Sequence, residues 1–405
     1  VILGRHSEAL PLCEKAFKLR AEVLGEKHQD TLRSARCTAD AHSFLGHHSE
    51  ALSLYENIVK LRTETFGERH PDTLESMRDL ARTYDHLYRH TEELRLRERI
   101  YKLDAEINGE RDAQTLSSLA ALATSYTNLG RHADALALRE KALLLRSEVL
   151  GAQHQDTLSS MDDLAMSYLD LGRLTDTLAL HEKLLKLRTE ILGVRHDHTL
   201  LSMDSLALTN GLLGHHSESL RLRKNSYQLS VEMHGERNRL TLISLHGLAG
   251  AYVDFGNISE ALKLYEKEYQ LSVEMDGEHH PYTLASMQGL ADTNARSGRN
   301  AEAIVLYKKI LDLRTKTLGE RHPDTLSSMN ALALSYAESG RHAEAMPLFE
   351  KELKLRTELY GPQHSETLTA LYALSHTYYE LGRHAEALKL YERSVKDVES
   401  LRKSG

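Results

Sequence analysis

Along residues 324–365 the apolar side chains Leu326, Met329, Leu332, Ala333 and Tyr336 follow at steps of three, three, one and three. That spacing predicts an amphipathic helix with one apolar stripe. Ser339-Gly340 ends it. Ala345, Leu348, Phe349 and Leu353, then Leu355 and Leu359, resume helical spacing until Gly361. The segment therefore predicts a helix pair, with a helix A of about four turns and a longer helix B.

The pattern recurs without a slip. Glycine stands at 25, 67, 109, 151, 193, 235, 277, 319 and 361, and Thr-Leu follows six residues after each, from Thr31-Leu32 to Thr367-Leu368. A 42-residue period predicts stacked small units rather than one globule around a central core. In helix A a Leu stands before the small residue in eight of nine repeats, with Thr38 the exception, and the small residue is Ala in eight and Ser375 in the ninth. Tyr84, Tyr126, Tyr168, Tyr252, Tyr336 and Tyr378 share the slot three residues on. In helix B, Ala9, Ala51, Ala135, Ala261, Ala303, Ala345 and Ala387 repeat, and Tyr55, Tyr265, Tyr307, Phe349 and Tyr391 stand four residues further. Pro71, Pro281 and Pro323 sit where a first helical position tolerates a missing N–H. Asp72 and Asp324 follow in the first turn, where the helix dipole favours them.

Three repeats depart from the register. Repeat 198–239 has Asn210, Ser219 and Arg223 at the Tyr, Ala and aromatic slots, and is expected to be the softest segment. Repeat 282–323 has Asn294 for Tyr, and repeat 72–113 has Tyr88 at the turn glycine and Glu93 at the alanine slot. Segments 228–237 and 270–279 are nearly identical, which suggests local tandem duplication.

The series Leu332-Ala333, Tyr336, Gly340, Ala345, Phe349 resembles the tetratricopeptide repeat signature of Leu-small, Tyr, Gly, Ala and aromatic. The string Gly319-Glu-Arg-His-Pro-Asp-Thr-Leu326 resembles the long repeats of kinesin light chains, nephrocystin-3 and the carboxy-terminal arrays of NLR-type (STAND) ATPases. The resemblance covers the whole chain. It implies an all-α, right-handed α-solenoid of helix-turn-helix units, with helices A on the concave face and helices B on the convex one. The expected organisation is a partial repeat at 1–29, then nine helix pairs at 30–71, 72–113, 114–155, 156–197, 198–239, 240–281, 282–323, 324–365 and 366–405, forming one continuous domain. The start inside a helix A at Leu3-Gly4 reads as a fragment of a longer protein, and Lys403-Ser404-Gly405 as an array end or a cut.

Charge narrows the partners. Fifty-one Lys and Arg against 59 Asp and Glu give a net −8, without the basic footprint of a nucleic-acid binder. No run of 18 apolar residues and no leader pattern are visible, so neither a membrane span nor a signal peptide is expected. Cys13 and Cys37 make no disulfide framework; they read as small buried apolar side chains in a reducing, cytoplasmic setting.

Twenty-four histidines invite a metal reading, but the period absorbs 14 of them. His28, His70, His154, His196, His280, His322 and His364 hold one loop slot; His6, His48, His90, His132, His216, His342 and His384 hold one turn slot. They read as helix-start and turn contacts. No HExxH, CxxC or two-His-one-carboxylate spacing occurs, and no GxxxxGK[ST], GxGxxG or GxSxG. No metal, cofactor or catalytic residue is expected. Arg20, Arg62, Arg146, Arg188, Arg314 and Arg356 recur after Leu, five of them followed by Glu22, Glu64, Glu148, Glu190 or Glu358 two residues on. This predicts a solvated outer face of helix B carrying weak charge pairs, with a partner-binding stripe there as the sharper reading.

By the resemblance, the concave positions lie five and two before, and two, five and six after, the Leu of helix A. The first repeats offer Arg33, Arg36, Arg78 and Arg82, tempered by Asp40, Glu75 and Asp85. The middle offers Asp162, Met166, Leu169, Leu201, Asp204, Leu208, Leu212, Ile243 and His246. Further on come Gln288 and Asn330, then Tyr372, His376 and Tyr379. Aromatic and Arg side chains anchor interfaces, and contiguous exposed apolar residues mark them. The expected function is a non-catalytic interaction module that takes a polypeptide, with an acidic part near the Arg cluster and an apolar part at 166–243. A kinesin-light-chain-like cargo adaptor and the sensor arm of an NLR-type ATPase are the two families of role. Self-association through the apolar strip or open ends is the competing use of the same surface.

Overall fold

The computed structural model describes residues 6–404. The expected helix end at Leu3-Gly4 lies outside the described residues. Nineteen α-helices and no strand occur among the described residues, with helices A of 16 residues alternating with helices B of 19, or 21 in the last. The contacts divide the chain into two compact units, Val1–Ile191 and Leu192–Gly405.

The first unit holds α1 (His6–Leu24), α2 (Gln29–Phe44), α3 (His48–Phe66), α4 (Pro71–His86), α5 (His90–Asn108), α6 (Ala113–Asn128), α7 (His132–Leu150) and α8 (Gln155–Asp170), and α9 (Leu174–Leu192) closes it. The second holds α10 (Asp197–Leu212), α11 (His216–His234), α12 (Arg239–Asp254), α13 (Ile258–Asp276), α14 (Pro281–Arg296), α15 (Asn300–Leu318), α16 (Pro323–Glu338), α17 (His342–Tyr360), α18 (Ser365–Glu380) and α19 (His384–Ser404). Within each unit helices pack on their neighbours in sequence, the arrangement of an all-α solenoid.

The small-residue slot explains the close packing. Ala39, Ala81, Ala123, Ala165, Ala207, Ala249, Ala291 and Ala333 are all fully buried, as is Ala51 in the partner slot of helix B. A larger side chain at either position would hold the helices of a pair apart. The largest continuous core runs from α14 to α18 around Ile310, Phe349 and Leu371.

Most residues of the loop string have a physical task. Gly319 takes φ +85°, a conformation that costs other residues strain. Glu320 bonds Lys351 Nζ at 2.7 Å, and Arg321 bonds Glu358 at 2.8 Å, both on the next helix B. His322 caps α16, its Nδ1 accepting the Asp324 N–H at 3.2 Å. Pro323 opens the helix. The threonine side chain can turn back on the glycine, as Thr367 Oγ1 does in donating to Gly361 O at 2.8 Å. The other loop-slot histidines cap their helices in the same way, and Asp112 substitutes for one of them.

Two expectations are corrected here. Apart from the first, exposed Arg20, the recurring Leu-Arg arginines do not line a solvated face. Arg62, Arg188 and Arg356 are buried, and Arg146 and Arg314 half-buried. Arg62, Arg146 and Arg314 each donate to a serine hydroxyl 14 residues on, Ser76, Ser160 and Ser328, at 2.6–2.7 Å. They also reach the Asp72, Asp156 and Asp324 carbonyls in the first turn of the next helix A. The glutamates two residues on do not pair with them; Glu148 and Glu358 instead take Arg111 and Arg321 from the preceding loop. The second correction concerns the cysteines. Cys13 and Cys37 are half-buried and joined as a disulfide between α1 and α2, with Cα atoms 5.8 Å apart. A 24-residue separation hid this pairing, because nothing in the period brings 13 and 37 into one slot.

Candidate functional site

In the first unit the expected Arg cluster is spent largely on the protein's own carboxylates. Arg36 bridges Glu75 at 2.6 Å and Asp79 at 2.8 Å, and Arg82 also bonds Asp79. Arg78 grips Asp104 with contacts of 2.7 and 2.9 Å. Burial raises the pKa of Asp79, opposed by Arg36 and Arg82. Arg33 and Arg82 keep 59% and 65% of their side chains exposed and remain open to a partner. A cavity of about 370 Å³ beside Arg82 is lined by Asp40, Phe44, Tyr55, Asp79, Arg82 and His86. Asp162 lies 3.5 Å from buried Arg188, with Met166 exposed and Leu169 half-buried.

The second unit carries a different surface. Leu201, Leu208 and Leu212 project from α10 at spacings of seven and four, which puts them on one helix face, and all three are exposed. Beside them a cavity of about 430 Å³ is lined by Leu208, Leu212, Arg223, His246, Asp254 and Tyr265. A second cavity of about 370 Å³ shares His246, Asp254 and Tyr265 and continues to Gln288, Asp292 and Arg296. The two therefore run on across α10, α12 and α14.

Glycines hollow out this surface. Gly211, Gly247, Gly250 and Gly289 are the only glycines inside described helices, and all lie on α10, α12 and α14. Each costs roughly 1 kcal/mol of helix propensity relative to alanine. A Cβ at Gly247 would stand 2.4 Å from the Arg223 guanidinium, and one at Gly289 would stand 2.4 Å from the Tyr265 ring. The missing side chains thus let Arg223 and Tyr265 lie across the helices, and Gly250 lines both cavities with the Tyr265 hydroxyl 3.5 Å from where its Cβ would stand. Sequence reasoning missed Asp254, Asp292, Tyr265 and these glycines. The signal was the confinement of intrahelical glycine to three successive helices A.

Most slot residues expected on the free face have partners inside the protein. Asp204 is buried against Arg223 at 2.9 Å and Ser244 at 3.2 Å, and burial raises its pKa against the pull of Arg223. His246 meets Glu268 at 3.1 Å, Gln288 meets Asp292 at 2.9 Å, and Asn330 meets Glu352 at 3.1 Å. Ile243 is half-buried. Tyr372 and Tyr379 are exposed, and His376 lies 3.7 Å from Glu380. Most residues of this slot are matched to a neighbour of their own, whereas Tyr372 stays exposed.

The tetratricopeptide repeat profile matches residues 1–61, 39–106, 111–174, 161–230, 240–316, 283–358 and 332–400. The chain belongs to the tetratricopeptide repeat family. Repeats of this family generally bind protein or peptide partners and are typically non-catalytic scaffolds. Among solved structures, the apo quorum sensor NprR of B. thuringiensis is similar at a TM-score of 0.55 and 16% identity, over 94% of this chain and 99% of that one. BtubC of P. vanneervenii is similar at 0.50 and 17%, over 56% and 92%. These two likenesses are of fold. The nearly identical repeats of a Podosopora anserina protein described as a kinesin light chain are 27% identical over 51% of this chain and 98% of that one, at a TM-score of 0.47. No curated protein matches the chain. No described helix of this repeat array is long and apolar enough to cross a membrane.

Proposed function

We propose that this array is a peptide-docking module whose main site is the hollowed surface of α10, α12 and α14. The observation that supports it most is the exposed row of Leu201, Leu208 and Leu212 beside a cavity opened by intrahelical glycines. Exposed leucines in a row offer apolar anchorage. The exposed carboxylates of Asp254 and Asp292, with His246 and Gln288, offer acceptors and donors for the backbone and polar side chains of an extended segment. In the first unit Arg33 and Arg82 supply a smaller basic patch for an acidic stretch. The same docking part would serve a cargo adaptor or the sensor arm of a signalling ATPase.

The test is selection of a displayed library of random short peptides against the chain, followed by fluorescence anisotropy of the selected peptides. Leu208→Asp and the cavity-filling Gly250→Leu should each weaken binding about tenfold or more, a loss of roughly 1.4 kcal/mol. Circular dichroism should stay unchanged. Peptides that bind both variants as well as the unaltered chain would move the site off this surface. Light scattering at two concentrations separates docking from self-association, which would raise the mass as concentration rises.

A further inference from the structure

One repeat breaks the register twice within six residues, at Tyr88 and Glu93. Tyr88 is the only described non-glycine residue with positive φ, at 56°. Glu93 places a carboxylate in the slot that otherwise holds alanine or, at Thr177 and Ser219, a small hydroxyl residue, and it is itself only 3% exposed. Both departures converge on His90. Tyr88 meets the His90 ring edge-on with centroids 5.9 Å apart. His90 Nδ1 lies 3.6 Å from Glu93 Oε2 and 3.7 Å from Asp85 Oδ1. Neither His90 Nδ1 nor Glu93 Oε2 has a hydrogen bond, although both atoms are buried. The three ligand atoms lie within 4.8 Å of one another.

We propose that Asp85, His90 and Glu93 form a binding site for a first-row divalent transition metal of the Zn²⁺ class. Ligands about 2.1 Å from a tetrahedral ion stand about 3.4 Å from each other, close to the two separations from Nδ1. An imidazole nitrogen with carboxylates suits such an ion better than Mg²⁺ or Ca²⁺, which take oxygen alone. The outer contacts hold the carboxylates in place. Ser125 Oγ donates to Glu93 Oε1 at 2.8 Å, and Asn128 Nδ2 donates to Asp85 Oδ1 at 3.0 Å. Arg97 lies 3.6 Å from Glu93 Oε1, on the side away from His90's contact with Oε2, and is the competing cation. The turn-slot histidine recurs along the chain, but among the described residues only here do a buried Glu and an Asp both face it. Two unfavourable local choices in one repeat are what a ligand site imposes on an otherwise regular array.

The experiment is calorimetric titration of the chelator-treated chain with Zn²⁺, with Mn²⁺, Ni²⁺ and Mg²⁺ as class controls. It is paired with Glu93→Ala, which installs the array's own residue and so preserves folding, and with Asp85→Asn and His90→Ala. One saturable Zn²⁺ equivalent is expected in the unaltered chain, lost or weakened by more than about tenfold in each variant, with helicity retained. Mg²⁺ should give no such equivalent. Isotherms of Glu93→Ala and the unaltered chain that superimpose would overturn the site. So would an unaltered chain that binds no Zn²⁺ while Glu93→Ala loses stability, because Glu93 would then serve Arg97 alone.

Discussion

Arg62 Nη1 stands 2.7 Å from Ser76 Oγ, 14 residues on, and locks one helix pair to the next from inside the joint. Arg62 is 2% exposed, so its charge is held by these bonds rather than by water. Arg62→Met should lower stability by about 2 kcal/mol, because it removes charge-assisted bonds to Ser76 and to the Asp72 carbonyl. Arg69→Ala, which breaks the exposed pair with Glu106, should cost about 0.5 kcal/mol or less. Urea midpoints of the two variants test the contrast, and equal losses would place Arg62 among the surface charges.

Acid should loosen the fold before it reaches the carboxylate range. Burial lowers the pKa of His48, His181 and His364, with His86, Arg188 and Arg356 respectively adding repulsion. A base depressed in the folded state contributes stability that is full above its unfolded value of 6.5 and is lost as pH falls through the folded value. Buried Asp204 and Glu352 act in the opposite sense, since raised folded values let the fold hold protons that the unfolded chain releases above 3.8 and 4.5. The urea midpoint should therefore fall between pH 7.5 and 5.5. The drop should shrink in His364→Asn, which keeps a capping oxygen that does not titrate.

Hydrogen exchange should be faster in α11 than in α17. The slots of α11 are filled by buried Ser219, Ser226 and Ser230, whereas α17 contributes Ala345, Phe349 and Leu353 to the largest core. Polar filling leaves less apolar area to hold a segment closed. Exchange mapped by mass spectrometry reads the order directly, and slower exchange over 216–234 would reverse the ranking.

Reduction of the Cys13–Cys37 bridge should weaken the joint between α1 and α2 alone. A crosslink across 24 residues contributes about 3 kcal/mol by restricting the unfolded chain. Cys13→Ser should expose α1 to protease while α14 to α18 stay protected. Alkylation should add mass at both cysteines only after a reductant is present.

The regular part of the fold was legible because each packing residue recurs in a fixed slot. Ala333 and Phe349 announce the pair contact by their spacing alone, and the loop histidines announce a helix start. Side chains that bond across the joint between pairs were harder to read. Arg62 and Glu64 look like neighbours on one surface, yet one turns into the joint and the other meets Lys27 from the previous loop at 3.0 Å. Arg36 and Arg78 looked free because their slot varies, but their partners Asp79 and Asp104 vary with them. The hollow in the second unit depends on side chains that are absent, and hydrophobic periodicity does not register an absence.

Glu320 and Arg321 reach two points on the next helix B, and Glu236 with Lys267 and Arg237 with Glu274 repeat the same reach. Joints built this way, at 68–69, 110–111, 236–237 and 320–321, present the same pair of fittings to the next helix B. A gene encoding interchangeable couplings can gain or lose whole units by unequal recombination without leaving an ill-fitting seam. Length would then be free to drift except across α10, α12 and α14, where losing a single unit would take away a wall of the hollow.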